Sequence, residues 1–120
     1  MYHSFEELEV WKRSCRLADD IYNILKDSKE YGLKDQMNRA AVSVPSNIAE
    51  GCERDSIKES MHFFHIAKGS AAELRTQLYI SEKIGILTTA VTRPLSDETK
   101  EISSMLQGLI NSKTPKTKAD

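Results

Sequence analysis

Residues 56–84 read SIKESMHFFHIAKGSAAELRTQLYISEKI, and this stretch decides the fold class. Ser56-Ile57-Lys58-Glu59 has the form of a capping box, in which a serine hydroxyl and a glutamate carboxylate reciprocally satisfy amides at a helix start. Beyond it Ile57, Met61, Phe64, Ala67, Ala71, Leu74 and Leu78 return at steps of three and four, the spacing of one helix face. Phe63, Ile66, Ile80 and Ile84 fall on an adjoining face, so two neighbouring sides of this helix are expected to be covered. Gly69, Ser70, Ala71 and Ala72 are small together and let another helix come close, although a glycine costs about 1 kcal/mol against alanine. The helix is expected to run to Ile84-Gly85.

Working outward, Leu33, Met37, Ala40, Ala41, Val44 and Ile48 form the apolar stripe of a preceding helix that begins near Leu33. Pro45 lies inside it and predicts a kink, because proline removes one amide and crowds the preceding turn. Gly51 follows as a C-terminal stop. Earlier still, Ser4-Phe5-Glu6-Glu7 is a second capping-box match. It opens a stripe of Leu8, Trp11, Cys15, Ala18, Tyr22 and Leu25, widened by Val10, Leu17, Ile21 and Ile24. Glu9, Lys12, Arg13, Arg16, Asp19 and Asp20 make its solvated side, and the helix is expected to end between Asp27 and Glu30. A fourth helix carries Val91, Leu95, Ile102, Met105, Leu106, Leu109 and Ile110, and placing Pro94 in the first turn starts it between Thr89 and Arg93. Residues 1–112 thus form one domain, and the lysine-bearing run 113–120 is expected to be a disordered basic tail. No segment alternates with period two. The expected architecture is all-α, an antiparallel up-down-up-down four-helix bundle.

The chain has 120 residues, with Lys plus Arg numbering 17 against 18 for Asp plus Glu, so its formal charge is −1. That balance gives no long-range attraction to nucleic acid or to an anionic membrane surface. Apolar runs are too short to span a bilayer. Glu6, Glu7 and Glu9 fall where a secretion signal would be apolar, and two cysteines, Cys15 and Cys52, fit a reducing compartment. The expected location is the cytoplasm.

The polar residues are more informative than the composition. Gln36, Arg39, Ser43, Asn47, Glu50 and Arg54 follow one another at steps of three or four beside the apolar stripe of the second helix. Ser70, Glu73 and Gln77 do the same on the third. Two readings stand. One is a pair of solvated faces. The other is a partly buried network, with Arg39 or Arg54 meeting Glu73 or Glu50 and with Asn47 and Ser70 tying backbone groups across helices.

Catalytic groupings are thin. Glu59-x-x-His62 has the form of a di-iron ligand pair, but such bundles need it twice with two further glutamates, and His65 adds only one more donor. No Gly-rich phosphate loop and no Gly-x-Ser-x-Gly is present. No enzyme activity, metal or cofactor is expected.

Phe5…Leu8…Val10-Trp11, then Tyr31-Gly32-Leu33…Gln36…Arg39-Ala40-Ala41…Ser43-Val44-Pro45-Ser46-Asn47-Ile48-Ala49-Glu50-Gly51, then Phe64…Ala67…Gly69-Ser70…Glu73-Leu74…Gln77-Leu78 and Met105-Leu106…Gly108-Leu109-Ile110 together carry a resemblance. The chain resembles the bacterial four-helix-bundle family first associated with intervening sequences in 23S ribosomal RNA genes. The resemblance implies a left-handed bundle and a cyclic homo-oligomer, a pentamer shaped as a barrel with a central channel. A related branch, the accessory variability protein of diversity-generating retroelements, is similar in fold, binds nucleic acid and docks onto a reverse transcriptase. That branch is strongly basic, unlike this chain. For Gln36, Arg39, Ser43, Asn47, Glu50, Gly51, Arg54, Ser70 and Glu73 the resemblance implies a shared structural or interface role. The expected function is a non-enzymatic oligomeric scaffold whose partner is RNA, DNA or a nucleic-acid-processing protein; the alternative is a protein-interaction module with no nucleic-acid role.

Overall fold

The computed structural model describes residues 4–113. After a single 3-10 turn, Phe5–Glu7, come four helices: α1 Glu9–Leu25, α2 Tyr31–Cys52, α3 Ile57–Lys83 and α4 Thr89–Lys113. The described residues contain no strand. The residues that meet give the topology. Ser43 meets Ser70 and Met37 meets Ser81, so numbers rise along α2 as they fall along α3. Glu82 meets Thr92 and Lys68 meets Gln107, which makes α3 and α4 antiparallel too. Arg13 reaches Glu98 and Met105, while Leu17 and Asp20 share a groove with Pro94 and Leu95, so α1 and α4 are antiparallel as well. The bundle is therefore up-down-up-down.

Its core is filled by Leu17, Ile21 and Leu25 from α1, Met37, Val44 and Ile48 from α2, Phe64, Leu74 and Leu78 from α3, and Ile102 and Leu106 from α4. Each such side chain contributes about 1.5–3 kcal/mol relative to its exposed state. Alanines at 40, 41, 67 and 71 keep the α2/α3 seam narrow.

The chain ends its helices by local chemistry, and several boundaries differ from the sequence reading. Ser4 accepts from the Glu6 amide at 3.1 Å, but this caps only the 3-10 turn. Leu8 is extended (ψ 128°), so α1 restarts at Glu9 and ends at Leu25, before the expected Asp27. With that restart the buried line becomes Val10, Ser14, Leu17, Ile21 and Leu25, while Tyr22 is 59% exposed and Cys15 only half-buried. Ser14 fits this line because its hydroxyl donates to the Val10 carbonyl at 2.7 Å and leaves no polar group unmet.

Tyr31 opens α2, two residues ahead of Leu33, and the helix runs unbroken through the buried Pro45. Gly51 is not a stop. It lies inside the helix and is buried, with a negative φ like every described residue except Gly85. A methyl built on Gly51 would lie 2.5 Å from Cε1 of Phe64 and 3.1 Å from the Ser60 carbonyl, so glycine is there to admit the phenyl ring.

Ser56 caps α3 as its sequence implies, accepting from the Glu59 amide at 3.1 Å. At the other end Gly85 adopts φ +83°, its amide donating to Glu82 and that of Ile86 to Ser81, a Schellman close. Ile57 is exposed instead of lying in the core, and Ile66, Ile80 and Ile84 are also exposed, so the second face of α3 is not covered within the chain. Pro94 lies in the second turn of α4, not the first, where it faces solvent. Lys113 closes α4, so the helix takes one residue from the expected tail; residues 114–120 lie outside the described residues.

Gly51→Ala should destabilise the bundle by about 1–3 kcal/mol in urea unfolding, because overpacking against Phe64 outweighs the helix-propensity gain of about 1 kcal/mol. A stabilised variant would show that the ring relaxes freely.

Candidate functional site: the α2/α3 ridge

Helical spacing brings the two polar stripes to the flank where α2 meets α3. There Ser43 and Ser70 hydroxyls lie 2.8 Å apart, and Asn47 Nδ2 donates to the Ser43 carbonyl at 2.8 Å and its hydroxyl at 2.9 Å. Asn47 donates to Ser43, and the Ser43 and Ser70 hydroxyls share a hydrogen bond in which either can be the donor, so the three side chains form one connected chain. This is the one cross-helix link among the sequence-selected polar residues of the ridge. Asn47 reaches back along its own helix, not across to α3.

The charged members do not bridge the helices. Arg39 pairs with Asp35 at 3.3 Å one turn along α2, and Arg54, which lies beyond the end of α2 and not on it as expected, pairs back with Glu50; both pairs are exposed. Hydrogen bonding and charge from Glu50 raise the Arg54 pKa, and its guanidinium also lies over the Phe63 ring at 4.8 Å. Glu73 is exposed and has no ion pair among the described residues, so the expected Arg–Glu73 bridge is absent. It borders a cavity of about 200 Å³ with Gln36, Arg39, Ala40 and Ser43. Gln77 is 5% exposed and its Oε1 has no hydrogen-bond partner, a deficit of about 1–3 kcal/mol. Gly51, grouped with these residues by the sequence, serves the Phe64 contact beneath the ridge.

One important polar contact was invisible in the sequence. Arg13, assigned there to a solvated face, grips Glu98 with Nε at 2.8 Å and Nη2 at 2.5 Å, and its Nη1 lies 3.7 Å from the Met105 sulfur. This bidentate clamp raises the Arg13 pKa and fastens α1 to α4. Nothing local marks it, because its partner is 85 residues away.

Glu59, His62 and His65 are all exposed, and His62 meets Phe63 edge-on at 5.2 Å. Among the described residues no three His, Cys, Asp or Glu side chains gather as metal ligands would. Burial pushes the Cys15 thiol pKa up, and the charge of Asp19 adds to it. No described helix is long and apolar enough to cross a membrane.

Fold and ridge together define a four-helix bundle whose distinctive chemistry is a half-buried hydroxyl–amide seam. The sequence profile of the 23S rRNA-intervening sequence protein family matches residues 6–108, and the chain belongs to that family. It is similar in fold to the crystal structure of a protein with unknown function from the S23 ribosomal protein family of Bacteroides thetaiotaomicron. The TM-score is 0.80 at 23% identity, over 84% of this chain and 97% of that one. No curated protein matches the sequence.

A double-mutant cycle on Ser43→Ala and Ser70→Ala, followed by urea unfolding, should give a coupling of about 0.5–1.5 kcal/mol. Strictly additive losses would mean that the two hydroxyls act independently. Arg13→Gln should cost about 1 kcal/mol, less in 1 M salt, since the pair is only partly exposed.

Proposed function

We propose that this protein is a non-enzymatic, cytoplasmic scaffold that assembles into a homo-oligomer through the α2/α3 face and serves a nucleic-acid or ribonucleoprotein partner. The observation that carries the reading is the uncovered side of α3. Ile66, Ile80 and Ile84 are 38%, 41% and 59% exposed, and their helical spacing sets them in one row with Gly69 and Glu73. An aliphatic row at helical spacing, interrupted by a glycine, suits another helix better than it suits water. The unpaired Glu73 and the half-buried seam of Ser43, Asn47 and Ser70 border it and supply polar groups that can set register. A second copy of the chain is the natural occupant, because the resemblance implies a cyclic pentamer.

The nucleic-acid part is supported by the family's association with 23S rRNA intervening sequences and by the way a ring concentrates the charge each subunit presents. The second reading, a protein-interaction module without nucleic acid, is favoured by one observation. Both arginines of the α2 stripe are already paired with acids, which leaves that face without a free guanidinium.

Size-exclusion chromatography with light scattering, recorded at protein and nucleic-acid wavelengths, tests both. Five copies of the 13.6 kDa chain would weigh about 68 kDa. Ile66→Asp with Ile80→Asp should reduce the assembly to monomers while the helical circular dichroism is kept. A monomeric wild-type protein overturns the scaffold reading. An oligomer free of nucleic acid, whose partner protein survives nuclease treatment, favours the second reading.

A further inference from the structure

On the side of α3 opposite the aliphatic row, α3 and α4 enclose a cleft of about 560 Å³. Arg75 and Tyr79 line it from α3, and Arg93, Ser96 and Lys100 line it from α4. Its two arginines differ from the other four. Of the six arginines, Arg13, Arg39 and Arg54 are bound to carboxylates. Arg16 lies in a groove with Glu9, Asp20 and Glu98. Arg75 and Arg93 converge on the α3/α4 cleft with Lys100, and none of the three has an ion pair or hydrogen bond among the described residues.

Two acids also line the cleft, and they differ in state. Glu82 is occupied, accepting the Thr92 hydroxyl at 2.6 Å. Asp97 is exposed and unpaired between Arg93 and Lys100. Tyr79 stands 62% exposed, with Lys83 Nζ 5.4 Å from the centre of its ring. Three unspent cations, a neutral hydroxyl, a free carboxylate and an exposed aromatic ring in one cleft form a mixed donor set, unlike a simple solvated face.

We propose that this cleft binds a nucleoside phosphate. Arg75, Arg93 and Lys100 take the phosphate, where guanidinium forks match its oxygens in pairs. Ser96 adds a neutral donor, and Asp97 is the acceptor a ribose hydroxyl requires. The base lies on the Tyr79 face that Lys83 leaves open, with the cation strengthening the stack. The volume lies within the range of small-ligand sites, about 300–1,000 Å³. The same chemistry serves a free nucleotide or one residue of a single strand. It uses the opposite side of α3 from the proposed assembly face, so it stands without the scaffold reading.

The test is an equilibrium titration of the full chain in about 50 mM salt. The probes are AMP, inorganic phosphate and a labelled ten-residue oligoadenylate RNA. Wild type is compared with R75Q/R93Q, with Y79A, and with K12Q/R16Q, which removes the same charge from α1. The double arginine variant should weaken AMP or RNA binding at least tenfold, and the α1 variant by less than twofold. Y79A should weaken AMP and RNA while leaving phosphate unchanged. AMP binding without RNA binding identifies a free nucleotide, and binding of both identifies a strand. The proposal is overturned if neither AMP nor RNA binds, if phosphate binds as tightly as AMP, or if both double variants lose equally. Light-scattering masses of the same samples report separately on assembly, and circular dichroism confirms that each variant is folded.

Discussion

The structure depends on the close approach of α2 to α3. Gly51 removes the one side chain that would collide with Phe64, and alanines at 40, 41, 67 and 71 hold the rest of the seam narrow. Dispersion attraction falls off steeply across even small gaps, so a close-packed seam fixes the two helices in one register. The Ser43–Ser70 hydroxyl contact exists only because of it. Short hydroxyls can meet at 2.8 Å only where backbones come near; longer side chains would hold them apart. The outer helices lean on this pair, and the Arg13–Glu98 clamp closes α4 back onto α1.

The same helix, α3, presents two unlike sides to the outside. Toward α2 it leaves an aliphatic row with a glycine in it; toward α4 it leaves cations beside a tyrosine. A single amphipathic helix in a bundle has one apolar side to bury and one polar side to hydrate. α3 departs from this on both flanks, and each departure has a physical cost in isolation. Exposed isoleucines order water, and clustered like charges repel. The two proposed occupants, a second helix in one case and a phosphate in the other, have the chemistry that would relieve each cost. Gln77, buried with an unmet Oε1 between the hydroxyl seam and the aliphatic row, adds to the strain on the α2 side.

Periodicity, capping signals and turn residues determined the number, order and class of the helices. They depend on interactions within about four residues, and those are written locally. Ser56 and Gly85 end α3 where their chemistry dictates. The polar stripes of α2 and α3 were also legible, because side-chain direction follows from helical spacing alone. What failed were assignments that needed a partner. Ser4 caps one turn and not α1, because Leu8 turns extended and α1 begins afresh with Ser14 inward and Tyr22 outward. Gly51 has the composition of a stop but the function of a gap. Pro94 lies in the second turn of α4 and not in the first.

The ion pairs show the division most clearly. Arg39 had Glu73 or Glu50 as candidate acids and meets Asp35 one turn away instead, whereas Arg54 does meet Glu50, one of the two acids expected for it. Arg13 had no candidate at all, and the fold paired it with Glu98. A charge on a helix flank can reach several acids, and which one it meets is set by the rotation and height of the packed helices to within an ångström or two. The family and the bundle could therefore be read from the order of residues alone. The sharing of contacts, the uncovered row on α3 and the cleft of unspent cations were decided only when tertiary packing brought distant residues together and left others without partners.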